Sequence, residues 1–272
     1  MKPYLRTFVC VILVQAISAV PSSAHDTWLE TNSSFVTLGD NVYVDLKLGN
    51  HGNDHRDFKL AGKVTLDSTQ ISIVEPGGDT IDLKPKLADL GLTTKEGYWT
   101  AKYATRKAGL HVVALSSDGL RGKTRSVKSS KAYFQVGSRR REASSPKNRF
   151  DKPLGHELEF VPLTDPASNM GPNQAIRVKV LLQSKPLADA RVSFIPQATT
   201  LAEGFDSTYE RKTNAEGVAE FTPKEGNLLL IVVHHADQNR KADAYDDSKF
   251  SATLTLRVPQ ITSSELEPTP SN

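Results

Sequence analysis

Alternation with a period of two is what most limits the folds open to this chain. In residues 41–48, Val42, Val44, Leu46 and Leu48 share one face while Tyr43, Asp45 and Lys47 share the other, the pattern of a half-buried strand. Gly39-Asp40 supplies the turn that leads into it. Further runs of this kind occupy residues 63–66, 71–74, 98–103, 110–116 and 132–136, punctuated by Pro76-Gly77-Gly78-Asp79, Ala108-Gly109 and Ser117-Asp118-Gly119. Turn residues at such intervals predict an antiparallel sandwich. Residues 84–92 could form one helical turn or a loop.

The second half repeats the pattern. Ile176, Val178, Val180 and Leu182 alternate with Arg177, Lys179 and Leu181, and strands are expected at 191–195, 218–221, 227–235 and 252–258, with a turn at residues 213–217. Between the halves, residues 137–155 lose all apolar periodicity and carry Arg139-Arg140-Arg141. The reading is all-β: two successive antiparallel immunoglobulin-like or transthyretin-like β-sandwiches, residues 25–137 and 154–259. A basic linker at 138–153 joins them, and a polar tail at 260–272, with Pro268 and Pro270, is expected to be disordered.

Residues 1–24 read as a secretory signal. Lys2 and Arg6 precede an uncharged apolar run from 8 to 20, and Ser22, Ser23 and Ala24 form a small-residue exit. The run is too short for a bilayer span, which needs about 20 residues. The mature chain is then expected to be periplasmic or extracellular, with no transmembrane segment of its own. Taking Lys2 and Arg6 from the 34 basic residues leaves 32 against 31 acidic ones, a formal charge of +1, which offers no footprint for nucleic acid. Cys10 leaves with the signal, so disulfides and thiolate metal sites are excluded from the mature chain.

Cleavage after Ala24 makes His25 the first residue. Its α-amine and its ring Nδ1 can then close a chelate on one divalent ion. His51-Gly52-Asn53-Asp54-His55 sets two more imidazoles in a polar loop, and His234-His235 ends the apolar run 228–233. The candidate metal ligands are therefore His25, His51, His55, His234 and His235, with Ni(II), Co(II) or Cu(II) as the candidate ion. Adjacent strand residues point to opposite faces, so at most one of His234 and His235 joins a given site. His51 and His55 could equally be solvated. His111 reads as a satisfied or surface histidine, and His156 as an edge-strand residue or a ligand. Asp237, Asp243, Asp246 and Asp247 form an acidic loop whose spacing matches no calcium loop. Trp28 reads as a core anchor beside the terminus. No nucleophile elbow or phosphate loop is present, and an enzyme is not expected.

Two resemblances add to this. Lys185-Pro186-Leu187, Ala190-Arg191-Val192 and Thr213-Asn214-Ala215-Glu216-Gly217-Val218-Ala219-Glu220-Phe221 resemble transthyretin-like and carboxypeptidase-regulatory-like modules, which are mostly scaffolds. Together with Ala24-His25-Asp26-Thr27-Trp28-Leu29, with residues 155–163 (Gly-His-Glu-Leu-Glu-Phe-Val-Pro-Leu) and with Asp165-Pro166, the chain resembles, over about residues 25–258, the exported proteins of unknown function grouped with nickel-uptake components, the NikM-type family. That resemblance implies an extracytoplasmic accessory protein for nickel or cobalt uptake, partnered by a membrane permease. The missing spans mean that the chain is not expected to be the pore. Two other functions stay open: a structural or adhesive pair of sandwiches without metal, and a copper-dependent oxidase built on an N-terminal histidine brace.

Overall fold

A computed structural model describes residues 25–49, 66–91, 93, 96–137, 150–167 and 170–260. The expected signal, most of the linker and the tail lie outside these residues. Among the described residues the chain is all-β, with no α-helix. The first half carries β1 (Asp26–Thr31), β2 (Phe35–Val36), β3 (Asn41–Gly49), β4 (Thr69–Val74), β5 (Thr80–Asp82), β6 (Leu87–Asp89), β7 (Trp99–Ala104), β8 (Gly109–Arg121) and β9 (Thr124–Val136). The second carries β10 (Leu158–Pro162), β11 (Ile176–Leu182), β12 (Lys185–Pro186), β13 (Arg191–Pro196), β14 (Glu210–Lys212), β15 (Val218–Phe221), β16 (Asn227–Asp237) and β17 (Asp247–Val258).

The alternation of β3 is borne out residue by residue. Val42, Val44, Leu46 and Leu48 are buried while Tyr43 is exposed. Each buried side chain of this kind contributes about 1.5–3 kcal/mol relative to exposure. β3 is the inner strand of a four-stranded antiparallel sheet in the order β1-β3-β7-β6. That sheet packs on β4, β8 and β9 around Leu29, Ile71, Ile73, Val113, Leu115 and Phe134. In the second half, β10-β11-β12 and β15 form another antiparallel sheet. It packs on β13, β16 and β17 around Phe160, Val178, Phe194, Phe221, Ile231 and Leu254.

The two sandwiches share a sheet. β17 pairs with β9 in parallel, from Asp247 opposite Thr124 to Thr255 opposite Ala132, so one nine-stranded sheet runs β14-β13-β16-β17-β9-β8-β4-β5, with β2 beside the end of β9. Strand alternation lets β9 serve two cores. Ala132, Phe134 and Val136 face the first, while Val127 and Tyr133 face the second.

Some local expectations need correction. β8 runs straight through Ser117-Asp118-Gly119 and reverses instead at Gly122-Lys123, where Arg121 pairs with Thr124. Gly122 takes φ +59 there, the conformation a two-residue hairpin turn requires. Asp118 is held in the ladder by Arg125, whose Nε and Nη2 both donate to its carboxylate. The strand expected at 63–66 is likewise not seen at its described end, since Leu66 opens a 3-10 turn, Leu66–Ser68, and residues 63–65 lie outside the described set. Of residues 84–92, the described ones hold the 3-10 turn Lys84–Lys86 followed by β6, and residue 92 lies outside the described set.

Candidate functional site

The functional candidates meet where β1 crosses the shared sheet. β1 has β3 on one edge only, and an open edge leaves backbone groups without partners. Side chains of the nine-stranded sheet close it. The Leu29 amide donates to Ser130 Oγ at 2.9 Å, and Thr253 Oγ1 donates to the Thr27 carbonyl at 2.9 Å. Trp28, on the opposite pleat from Leu29, is buried against Leu230, Val232 and Ile195 of the second half. β1 thus belongs to the first sheet by its ladder and to both halves by its side chains.

At the start of β1, His234 Nε2 lies 2.8 Å from Asp26 Oδ1. Burial disfavours the charged imidazole, but the hydrogen bond and charge of Asp26 outweigh it and raise the His234 pKa above the ordinary histidine value. Next to this pair, Lys128 Nζ donates to Thr27 Oγ1 at 2.9 Å. Burial, with repulsion from Arg121, brings the Lys128 amine down to about 8, against the pull of Asp26. His25 directly precedes Asp26 and is half-buried.

The structure brings some expected ligands toward one another and separates others. His234 reaches the residue next to His25. β3 ends at Gly49, directly opposite Asp26; His51 and His55 themselves lie outside the described residues. His235 is on the other face of β16, its ring 6.1 Å from that of Phe250 in the second core, so it does not join Asp26 and His234. Among the described residues, no three His, Cys, Asp or Glu side chains converge as a metal site.

Two other histidines are more enclosed than the sequence suggests. His111 is fully buried, stacked on Phe134 with centroids 4.7 Å apart. Its Nδ1 lies 3.1 Å from the Gly109 carbonyl and its Nε2 has no hydrogen-bond partner. Burial lowers its pKa. His156 precedes β10, with Nδ1 lacking a partner, and burial lowers its pKa too.

Charged side chains that the sequence reading passed over join the halves. Lys131 Nζ lies 2.5 Å from Glu159 Oε1 with both side chains buried, and it also donates to the Phe160 carbonyl. Glu159 accepts from the Leu154 and Gly155 amides as well. Glu157 receives Arg125 of β9 and Arg240 of the β16–β17 loop. The available signal was Lys131, a cation next to Ala132 and Phe134 in a strand.

Residues 22–237 match the family described as "Domain of unknown function (DUF4198)". The chain belongs to this family. The DUF4198 match carries no link to nickel uptake, so that part of the sequence resemblance is not shown. No curated protein matches the sequence. Among solved structures, a DUF4785 family protein from Legionella pneumophila is 14% identical over 75% of this chain and 51% of that one, with a TM-score of 0.27. The Yersinia pseudotuberculosis adhesin InvE is 13% identical over 85% and 58%, with a TM-score of 0.21. Salmonella alpha-2-macroglobulin reacted with methylamine is 10% identical over 86% and 15%, with a TM-score of 0.25. The DUF4198 chain spans about half the length of the Legionella chain, and scores this low carry no argument about its function. No helix among the described residues is long and apolar enough to cross a membrane.

Proposed function

We propose that this chain is an exported structural or adhesive β-sandwich module whose fold does not depend on a metal. The observation that supports this reading is the continuous nine-stranded sheet, with β9 and β17 hydrogen-bonded through the middle of the molecule. Side chains that could have served as ligands are used in packing: Asp26 and His234 tie β1 to β16, and Glu157, just before β10, and Glu159 within it tie that segment to β9. A ligand that binds only the folded state raises its melting temperature. Thermal unfolding of a protein beginning at His25 is therefore measured with chelator and with Ni(II), Co(II) or Cu(II). The structural reading expects one transition at an unchanged temperature, and a rise of several degrees with one ion overturns it.

The contact of His234 with Asp26 at 2.8 Å favours a second reading. It sets an imidazole beside the residue that follows His25, where the amine and ring of a cleaved terminus could take a divalent ion and deliver it to a membrane permease. Periplasmic location and signal cleavage are part of this reading. The discriminating experiment is calorimetric titration of Ni(II) and Cu(II) into protein beginning at His25 and into protein with one added residue ahead of it. The extra residue converts the amine to an amide and leaves every side chain in place. Equal affinity in the two rejects the N-terminal site.

A further inference from the structure

The face of the shared sheet that carries the second core changes character along β8. Leu110, Val112 and Ala114 lie on that face toward one end of the strand, and Ser116 and Asp118 continue it toward the other. Gln70 of β4, Ser116 of β8 and Ser129 of β9 stand side by side across three strands, Gln70 opposite Ser116 and Ser116 opposite Ser129. The segment leading into β10, with His156 and Glu157, walls this polar row into a cleft of about 260 Å³.

The hydrogen-bonding groups of the cleft are unevenly used. Ser129 Oγ donates to the Leu158 carbonyl at 2.6 Å. The Gln70 amide and the Ser116 hydroxyl make no side-chain hydrogen bond to the described residues, whereas the unpartnered His156 Nδ1 is buried away from the cleft's open space. Burial lowers the His156 pKa below the ordinary histidine value. The two carboxylates on the rim are already matched, Asp118 by Arg125 and Glu157 by Arg125 and Arg240, and the amine of the lining residue Lys128 is taken up by Thr27 Oγ1. The cleft thus combines open donors and acceptors with balanced charge, and of its lining only Val127 and Leu158 are large apolar side chains.

We propose that this cleft binds a neutral polyhydroxyl ligand the size of one hexopyranose, with Gln70 and Ser116 as its principal contacts. A balanced rim disfavours anions and cations alike, whereas sugar hydroxyls can both donate to and accept from an amide and a serine. The volume lies just below the range of drug-sized pockets and suits a single ring. The proposal goes beyond the structural reading, which stands whether or not a sugar binds.

Saturation-transfer difference NMR on the protein from His25 onward, with D-glucose, D-galactose and N-acetyl-D-glucosamine as probes and inorganic phosphate titrated separately, tests it. Transfer to at least one sugar is expected, abolished by Ser116→Tyr, which fills the cleft, and weakened about tenfold by Gln70→Ala through loss of a hydrogen-bonding group. Gln70 is exposed, so its variant decides the matter if Ser116→Tyr fails to fold. No transfer to any of the three sugars overturns the proposal. So does transfer that neither variant changes, or binding of phosphate in place of sugar.

Discussion

Lys131 of β9 donates to Glu159 of β10 across the boundary between the two halves, with both side chains about 2% exposed. A buried pair of this kind is weak evidence for net stabilisation, since desolvating two charges offsets their attraction; removing one partner leaves the other buried and unmatched. Lys131→Ala is expected to cost about 3–5 kcal/mol. Glu159→Gln combined with Lys131→Met is expected to cost less than Lys131→Ala alone, because no unmatched charge stays buried and the glutamine oxygen keeps an acceptor for one of the two amides, Leu154 and Gly155, that bond to the separate carboxylate oxygens. Urea unfolding of the two variants and wild type makes the comparison.

The link between Asp26 and His234 has a pH dependence of definite sign. Asp26 raises the folded-state pKa of His234, so its contribution is fully present below the unfolded histidine value of about 6.5 and is lost as pH rises through the higher folded value. His234 is half-exposed, which keeps the effect near that of a surface pair, about 0.5 kcal/mol. The stability gap between wild type and Asp26→Asn, read from urea midpoints, is expected to be larger at pH 5.5 than at pH 8. A gap that grows with pH contradicts the assignment.

His111 acts in the opposite direction. Burial lowers its pKa, so the folded state resists protonation while the unfolded state accepts it below about 6.5. Stability associated with this residue is present above that value and is lost as pH falls. Glu75, Tyr103 and Lys107 form one bonded cluster beside it. His111→Phe keeps a ring against Phe134 and is expected to lie within about 1.5 kcal/mol of wild type at neutral pH. Its acid-unfolding midpoint, followed by far-ultraviolet circular dichroism, is expected at lower pH than that of wild type.

Gly217 closes the turn before β15 at φ +73, and a Cβ there would sit 2.7 Å from the Val180 carbonyl oxygen. Gly217→Ala therefore combines an unfavourable backbone conformation with a clash against backbone, and a loss of about 1–3 kcal/mol is expected in thermal unfolding. Asn214, whose side chain accepts from the Glu216 and Val218 amides, organises the same turn.

What the sequence revealed and what it hid follow from the nature of the signals. A period of two tells which face of a strand is buried, and β3 and β11 were legible for that reason, whereas β16 was legible as the continuous apolar run 228–233. It does not name the neighbour, so the pairing of β9 with β17 had no local trace. Asp118-Gly119 looked like a turn because those residue types favour turns, yet Arg125 across the ladder holds Asp118 in a strand. Of the candidate ligands, His234 was placed beside the start of β1 by the crossing of two distant strands, a relationship that only the fold supplies. Lys131 and Glu159 lie 28 positions apart, on different sheets, and neither residue's neighbours in sequence announce the other.

The β9–β17 ladder also bears on the order in which the molecule can assemble. Its paired residues are separated by 123 positions throughout, from Thr124 with Asp247 to Ala132 with Thr255. A chain emerging from its N-terminus completes β8 and β9 as a hairpin long before β17 exists. Until then, one edge of β9 presents unpaired amides and carbonyls, the template on which foreign strands add. Pairing so distant in sequence also slows folding, because a long loop must close before any of its contacts form. Chains shortened before β17 are therefore the ones expected to aggregate, even though every residue of the first sandwich is present in them.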